Sequence, residues 1–552
     1  MTPQKFKGTG GQILVEMLRI HGVERISSVA GESYLPVLDA LLDRPEIAVM
    51  TCRQEGGAGF MAESWGKLTG RPGICLVTRG PGVCNASIAI HTAKQDSTPM
   101  IVFMGQVRRW ERGREAFQEV DVRAVFGTLA KWATEIDDPS RIPEIINHAF
   151  HVATTGRPGP VVIGLPEDML SETAEAVLAP PAPPVKTAPR AGEMENILTL
   201  VQKASRPLVI VGGSGWSDEG IAELASFARA AHLPVAASFR NHDLIDHRHG
   251  CYVGELGTGP NPALVERIKA SDLLLVVGSR LDEITTQSYS LIDAPAPKQI
   301  LIHIHQDAME IGKVYTPALA VQADVNDMAA LMAAMAFKLD GRGWAGWRDD
   351  ARKDYMEWTA IDPAGRPAFD GADMTLIFNH LRNVLPNDAI ITTDAGNFSG
   401  WAQRYLQYGR PGRLLAPVSG AMGYSVPSAI GAAIANPDKL VLGLCGDGGF
   451  MMNGQELATA MHHGVKPIIM ICNNGMYGTI RMHQEKKYPG RISATSLTNP
   501  DFVALAKSYN AHAARVERAE DFPAIWEEAR ACGRAVVIEI AMDPRQITTR
   551  SL

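Results

Sequence analysis

LVLGLCGDGGFMMNGQELATAMHHGVKPIIMICNN, residues 440–474, reads as a strand, a glycine-rich turn, a helical stretch and a second strand. The continuous apolar runs LVLGLC and PIIMIC are what strands covered on both faces look like, the pattern of parallel sheets. Similar runs recur at GICLVT (73–78), PMIVFMG (99–105), PVVIGLP (160–166), PLVIVGG (207–213), DLLLVVGS (272–279), ILIHI (300–304), AIITTDAG (389–396) and AVVIEI (535–540). Amphipathic stretches separate them. The pattern predicts an α/β chain of consecutive doubly wound parallel-sheet domains.

At roughly 100–200 residues per domain, the 552 residues suggest several domains. Residues 179–190 (APPAPPVKTAPR) carry five prolines, too many missing N–H donors for a helix or a central strand, and so read as an extended linker. Residues 340–372 show no buried-strand pattern. Three units follow: 1–178, 191–340 and 370–552. Apolar residues at 46% and charged residues at 20% exclude disordered, collagenous and disulfide-scaffold classes. Fifty-three basic against 60 acidic residues leave −7, which argues against nucleic acid or an anionic membrane as partner. The seven cysteines are odd in number and lack a C-x-x-C pair, so they read as core residues in a reducing compartment. The N-terminus lacks a signal pattern and no apolar run approaches the ~18 residues of a membrane span, so a cytoplasmic location is expected.

Asp447 and Asn474 each stand at the carboxyl end of an expected parallel strand, where ligands of such sheets bind. A carboxylate with an amide oxygen is hard-oxygen ligation suited to Mg²⁺, which is usually completed by phosphate oxygens. Gly448 and Gly449 let the backbone approach an anion, and the following helix offers it N–H groups. A magnesium-bound diphosphate satisfies all of these. Isolated, Gly-Asp-Gly would be a tight turn; its pairing with Asn473-Asn474, each after a buried strand, weighs against that.

On these residues the chain resembles the thiamine-diphosphate enzymes, whose signature is GDG followed by NN. The resemblance implies metal ligation by Asp447, Asn474 and the carbonyl of Met476. It implies cofactor contacts from Gly396, Asn397, Phe398, Gly448, Gly449 and Tyr477. GAMGYSVPSAIGAA (420–433) is similar to the segment that bends the cofactor, with Met422 under the bend and the Gly420 carbonyl accepting from the 4′-amino group. In the first unit, CRQEGGAGFMAESWGKLTG (52–70) resembles the family's H-E-x-x-A segment, with Gln54 in place of His. Glu55 would hydrogen-bond the aminopyrimidine ring and so favour loss of the C2 proton; alone, it would be an ordinary solvated carboxylate at a helix start. The family places the cofactor between the first domain of one subunit and the third of another, implying a homodimer at least, or a tetramer.

TRGPGVCNASIAIHTAKQDSTPMIVFMGQV (78–107), REAFQEVDV (114–122), TTGRPGPVVIGLPED (154–168) and NPDFVALAKSYNA (499–511) are similar to the acetohydroxyacid (acetolactate) synthase-like branch. That branch implies Phe117 and Gln118 in the substrate channel. It also implies decarboxylation of a 2-oxo acid, with the thiazolium as electron sink, and ligation to a second 2-oxo acid or aldehyde. Three positions depart from it: Glu167 stands for a Lys, Ile284 for an Arg and His483 for a Trp. Their joint loss predicts a substrate differing from the branched-chain enzyme's. His483 would face the active site as an acid–base group, whereas His462-His463 suit a helix end structurally. The alternatives are a non-ligating decarboxylase, a 2-hydroxyacyl lyase, or a cofactor-binding scaffold.

In the middle unit VGGSGW (211–216) and GSRLDE (278–283) follow strands without forming G-x-G-x-x-G. The resemblance implies FAD contacts from Arg157, Arg280 and Asp324, but His305 stands where the family has an acidic ribose partner. FAD, ADP and an empty domain all stay open.

Overall fold

The computed structural model describes residues 4–409 and 412–550. Three six-stranded parallel sheets organise the chain. The first runs Ala48–Thr51, Arg25–Ser28, Gly73–Val77, Met100–Gln106, Pro160–Pro166, Trp132–Glu135. The third runs Arg413–Leu415, Ile390–Thr393, Val441–Gly446, Ile468–Asn473, Val536–Ala541, His512–Val516. Numbered within each domain, both have the order 2-1-3-4-6-5. The middle sheet runs Tyr252–Glu255, Val235–Ala237, Pro207–Val211, Leu273–Val277, Ile300–His305, Leu319–Gln322. Its order is 3-2-1-4-5-6, that of dinucleotide-binding sheets. All ten apolar runs are strands of these sheets.

Two interior strands, Arg25–Ser28 and Val235–Ala237, lie outside those apolar runs, and two further features escape the pattern. The six edge strands are only three to five residues long and carry weak signals. Gln4–Thr9 pairs antiparallel with Thr173–Leu178 and so ties the two ends of the first domain. Residues 179–190 have no regular structure and are mostly exposed. Residues 340–372 contain a helix, Ala345–Trp358, whose Ala351 and Tyr355 join the middle domain's cores. Five cysteines are buried, but Cys84 is exposed. Among the described residues no helix is long and apolar enough to cross a membrane.

The first and third domains share one core. Helix Glu55–Thr69 begins where the Gln54 side chain accepts from the Gly57 N–H, and it stops at Gly70 with φ +68°. It packs on helix Ser425–Ala435, with the Phe60 and Tyr424 rings edge to face at 5.2 Å. Burying a ring such as Phe60 contributes about 2–3 kcal/mol. Polar groups in this contact are paired. The Tyr424 hydroxyl donates to Glu63 Oε2 at 2.6 Å and the Thr98 hydroxyl to Glu63 Oε1 at 2.8 Å. Lys67 pairs with Asp96 and donates to the Ala416 carbonyl at 3.0 Å, while Asp96 accepts from the Val418 N–H at 2.8 Å. The first domain thus holds residues 416–424, the segment that carries Gly420 and Met422.

Candidate active site

The carboxyl ends of the third sheet's central strands enclose a cavity of about 250 Å³. Gly396, Asn397 and Phe398 reach it from the loop after Ile390–Thr393, and Gly420 and Met422 from the loop after Arg413–Leu415. Asp447, Gly448 and Gly449 follow Val441–Gly446; Asn474, Met476 and Tyr477 follow Ile468–Asn473. All eleven third-domain residues expected to hold the cofactor or the metal therefore line one cavity. Two glycines have no room for a side chain. A Cβ on Gly448 would lie 2.5 Å from the Tyr477 ring, and one on Gly449 would lie 2.2 Å from Asp394 Oδ2. The cavity wall is bare backbone there, as an approaching anion requires.

Asp447 is 2% exposed, and Asn499 donates to its Oδ2 at 2.7 Å. Burial holds its carboxyl above the ordinary value; a cation beside it would reverse that shift. The Asn474 amide oxygen accepts from the Met476 N–H at 3.2 Å, which orients the 474–476 turn. One carboxylate, one amide oxygen and the nearby Met476 carbonyl fit Mg²⁺, whose remaining positions a diphosphate and water can fill. Among the described residues no group of three His, Cys, Asp or Glu side chains could hold a metal. Mixed carboxylate and neutral oxygens are the alternative this site offers.

Sequence reasoning missed two organising residues. Asn499 donates from one amide nitrogen to Asp447 and, at 3.0 Å, to the Asn473 amide oxygen, linking the two strand ends. Asn499 opens the segment NPDFVALAKSYNA, which carries the resemblance to the branch but not this role. Asp394 is buried and accepts from the N–H groups of Gly423 at 3.0 Å and Ser425 at 2.5 Å. Burial pushes its pKa up to about 6 against those hydrogen bonds. It fixes the turn after Met422 and sits directly beneath Gly449.

Glu55 opens its helix, and its Oε2 accepts from the Asn85 amide at 2.9 Å. Phe117 is 77% exposed, and the Gln118 carbonyl accepts from the Gly80 N–H at 2.9 Å, which fastens the 107–120 loop to the helix bearing Asn85. Glu55, Phe117 and Gln118 are absent from the lining of the 250 Å³ cavity, which is drawn wholly from the third domain.

A larger cavity, about 1130 Å³, meets all three domains and shares Ala395, Gly396, Asn397, Gly420 and Thr479 with the smaller one. His483, exposed on helix Gly478–Lys487, lines it, as do Ile284, Arg157 and Arg280. Arg157 is engaged by Glu310 at 3.0 Å and by Ser97, and Arg280 by the Gln95 carbonyl at 2.7 Å. Asp324 lies outside both cavities: it caps helix Val325–Met335, accepting from Asn326 and Asp327 N–H groups. Burial lowers the His305 pKa to about 4, leaving it neutral. His462 and His463 end a helix, in edge-to-face contact. Glu167 is no free repulsive charge; it pairs with Arg79 at 2.6 Å and Arg108 at 3.3 Å.

Three family models match the chain in order. Residues 8–125 match the N-terminal binding domain of thiamine pyrophosphate enzymes, 194–332 their central domain and 394–540 their C-terminal binding domain. The chain is 32% identical to the acetolactate synthase large subunit of Corynebacterium glutamicum, over 96% of this chain and 86% of that protein. It is 30% identical to the acetolactate synthase isozyme 2 large subunit of Escherichia coli K12, over 97% of this chain and 95% of that protein. With a probable acetolactate synthase large subunit of Methanocaldococcus jannaschii it shares 30% over 97% of this chain and 92% of that protein. Domain order, strand topology, the lined cavity and full-length similarity agree: the chain belongs to the thiamine pyrophosphate enzymes and is an acetolactate synthase-like, thiamine pyrophosphate-dependent carboligase or lyase.

Proposed function

We propose that this enzyme decarboxylates a 2-oxo acid in a magnesium-dependent reaction and ligates the remainder to a second carbonyl, on a substrate pair other than the branched-chain one. The observation that carries the reading is the convergence of eleven expected residues on one cavity. Asp447, the Asn474 amide oxygen and the Met476 carbonyl would hold Mg²⁺ and, through it, the diphosphate. The backbone of Gly448 and Gly449 would receive the phosphate oxygens. When bound, thiamine diphosphate supplies the electron sink for loss of CO₂. Glu55 from a second copy would hold a proton at the aminopyrimidine ring nitrogen, and the Gly420 carbonyl would accept from the 4′-amino group. A homodimer is therefore the smallest complete unit proposed. Ile284 and His483 at the larger cavity support the altered acceptor, because neither brings the permanent cation or the indole of the branch.

FAD in the larger cavity is a secondary proposal, with an incomplete fit. The middle sheet has the dinucleotide order, but Arg157 and Arg280 are engaged by protein and Asp324 lies elsewhere. No step is assigned to a flavin.

Exchange of the cofactor's C2 proton with deuterium, followed by NMR, tests the central claim. Glu55→Gln is expected to slow exchange by about 10²–10⁴-fold; unaltered exchange overturns the reading. Product analysis with pyruvate alone separates acetolactate from released acetaldehyde, the mark of a non-ligating decarboxylase.

A further inference from the structure

Among the charged side chains that line the larger cavity are Arg240 and Glu255, to which the proposed function gives no role. Arg240 follows strand Val235–Ala237 in a left-handed backbone conformation, φ +62°, which non-glycine residues seldom adopt. Among the described residues its guanidinium makes one hydrogen bond, to the Asp394 carbonyl at 3.3 Å, and its Nε is buried without a partner. The contact with Asp394 puts Arg240 directly behind the loop that carries Gly396 and Asn397. Five N–H donors with one protein acceptor form an unfinished anion site.

Glu255 ends strand Tyr252–Glu255, and its side chain is 9% exposed. Its Oε1 accepts from Gln403 at 2.7 Å; its Oε2 is buried without a hydrogen-bond partner. The titratable groups facing this carboxyl are Arg240, His242 (Nδ1 at 3.4 Å), Tyr252, Tyr355 and Tyr408. Burial, opposed by Gln403 and Arg240, pushes its pKa up to about 8, and burial keeps His242 neutral. At neutral pH Glu255 therefore retains an O–H. A guanidinium and a carboxylic acid that line one cavity can together donate to the two oxygens of a carboxylate.

We propose that Arg240 and Glu255 bind the carboxylate of the second, carbonyl-bearing substrate, the guanidinium donating to one oxygen and the Glu255 carboxyl to the other. This rests on the ligation reading and narrows it: the acceptor is an anion, held by a cation from the middle domain rather than by residues at 167, 284 or 483.

The test is the ratio of kcat/KM for carboxylate-bearing acceptors (glyoxylate, 2-oxobutyrate) to that for uncharged ones (acetaldehyde, benzaldehyde), with pyruvate as donor. Arg240→Met is expected to lower the ratio about 10–100-fold, the scale of a lost charge-assisted hydrogen bond. If both acceptor classes weaken alike, Arg240 is only structural and the proposal fails. In the unaltered enzyme the ratio should fall as pH rises through about 8, where Glu255 ionises. Glu255→Gln, which keeps an N–H donor in place, should remove that fall; a ratio independent of pH in the unaltered enzyme overturns the role of Glu255. If no 2-oxo acid is turned over, the ligation reading fails, and calorimetry still reads the site. Protein loaded with thiamine diphosphate and Mg²⁺ should then bind isobutyrate but not isobutyramide, and Arg240→Met should abolish the difference. Equal binding of the two overturns the site, as does an Arg240→Met protein that loses flavin absorbance instead, because Arg240 would then be a flavin contact.

Discussion

The first and third domains share one strand order, yet their strand ends carry different chemistry. In the third, strand 3 runs into Asp447-Gly448-Gly449 and strand 4 into Asn474, a bare-backbone cradle with hard-oxygen ligands. In the first, the corresponding strands run into Gly80 and into the 107–120 loop; the distinctive residue, Glu55, stands instead after strand 2. After strand 2 of the third domain comes the segment with Gly420 and Met422. Topologically equivalent helices, Glu55–Thr69 and Ser425–Ala435, then pack on each other. Topology alone does not assign the role; the few residues past each strand end do.

Substitutions can break or sharpen this division of labour. The largest effect is expected for Asp447→Ala, which should abolish magnesium-dependent retention of thiamine diphosphate in calorimetry. Glu55→Gln should leave retention near normal while stopping turnover; a reversal of the two results would exchange the domains' roles. Asn499→Ala comes next, with a roughly 10–100-fold loss of cofactor affinity, the usual scale for a group that orients a ligand from behind. An unchanged affinity would make Asn499 a mere loop brace.

Tyr424→Phe removes the hydroxyl that donates to buried Glu63, at 2.6 Å, and should cost about 1–3 kcal/mol in denaturant unfolding. Glu63→Gln combined with it should cost less than the sum of the two single changes, because the pair spans the shared core. Strict additivity would mean that the equivalent helices are not coupled through this pair.

The smallest effect is a pH slope. Glu255 has its folded pKa raised from 4.5 to about 8, so the folded state binds the extra proton and loses stability relative to the unfolded chain as pH climbs between those values. Glu255→Gln should therefore gain thermal stability over the unaltered protein on going from pH 5 to pH 8, by about 1–3 kcal/mol. A constant difference would show that Glu255 ionises normally.

The central strands were legible because both faces are covered, so their apolar runs are unbroken: LVLGLC and PIIMIC located the sheet, and GDG with NN located its ligand edge. Edge strands such as Arg413–Leu415 and Val235–Ala237's neighbour Tyr252–Glu255 were silent because three or four residues are too short a run to show a pattern. Asp394 and Asn499 were silent for another reason: their work is done through hydrogen bonds to residues distant in sequence, 423–425 and 447, which no local pattern encodes. Arg240 and Glu255 meet only through folding, from two different strand ends. Glu167 is the converse case. Its charge was visible, but the arginines that neutralise it, Arg79 and Arg108, lie far away in the chain.

That Glu55, Phe117 and Gln118 stay out of their own chain's cofactor cavity has a genetic corollary under the proposed homodimer. A chain disabled at Glu55 and a chain disabled at Asp447 would each be dead alone. In a mixed dimer one of the two sites would draw an intact Glu55 from one parent and an intact Asp447 from the other. Random reassortment would then restore about a quarter of full activity from two null alleles. Two defects placed on the same domain would show no such intragenic complementation.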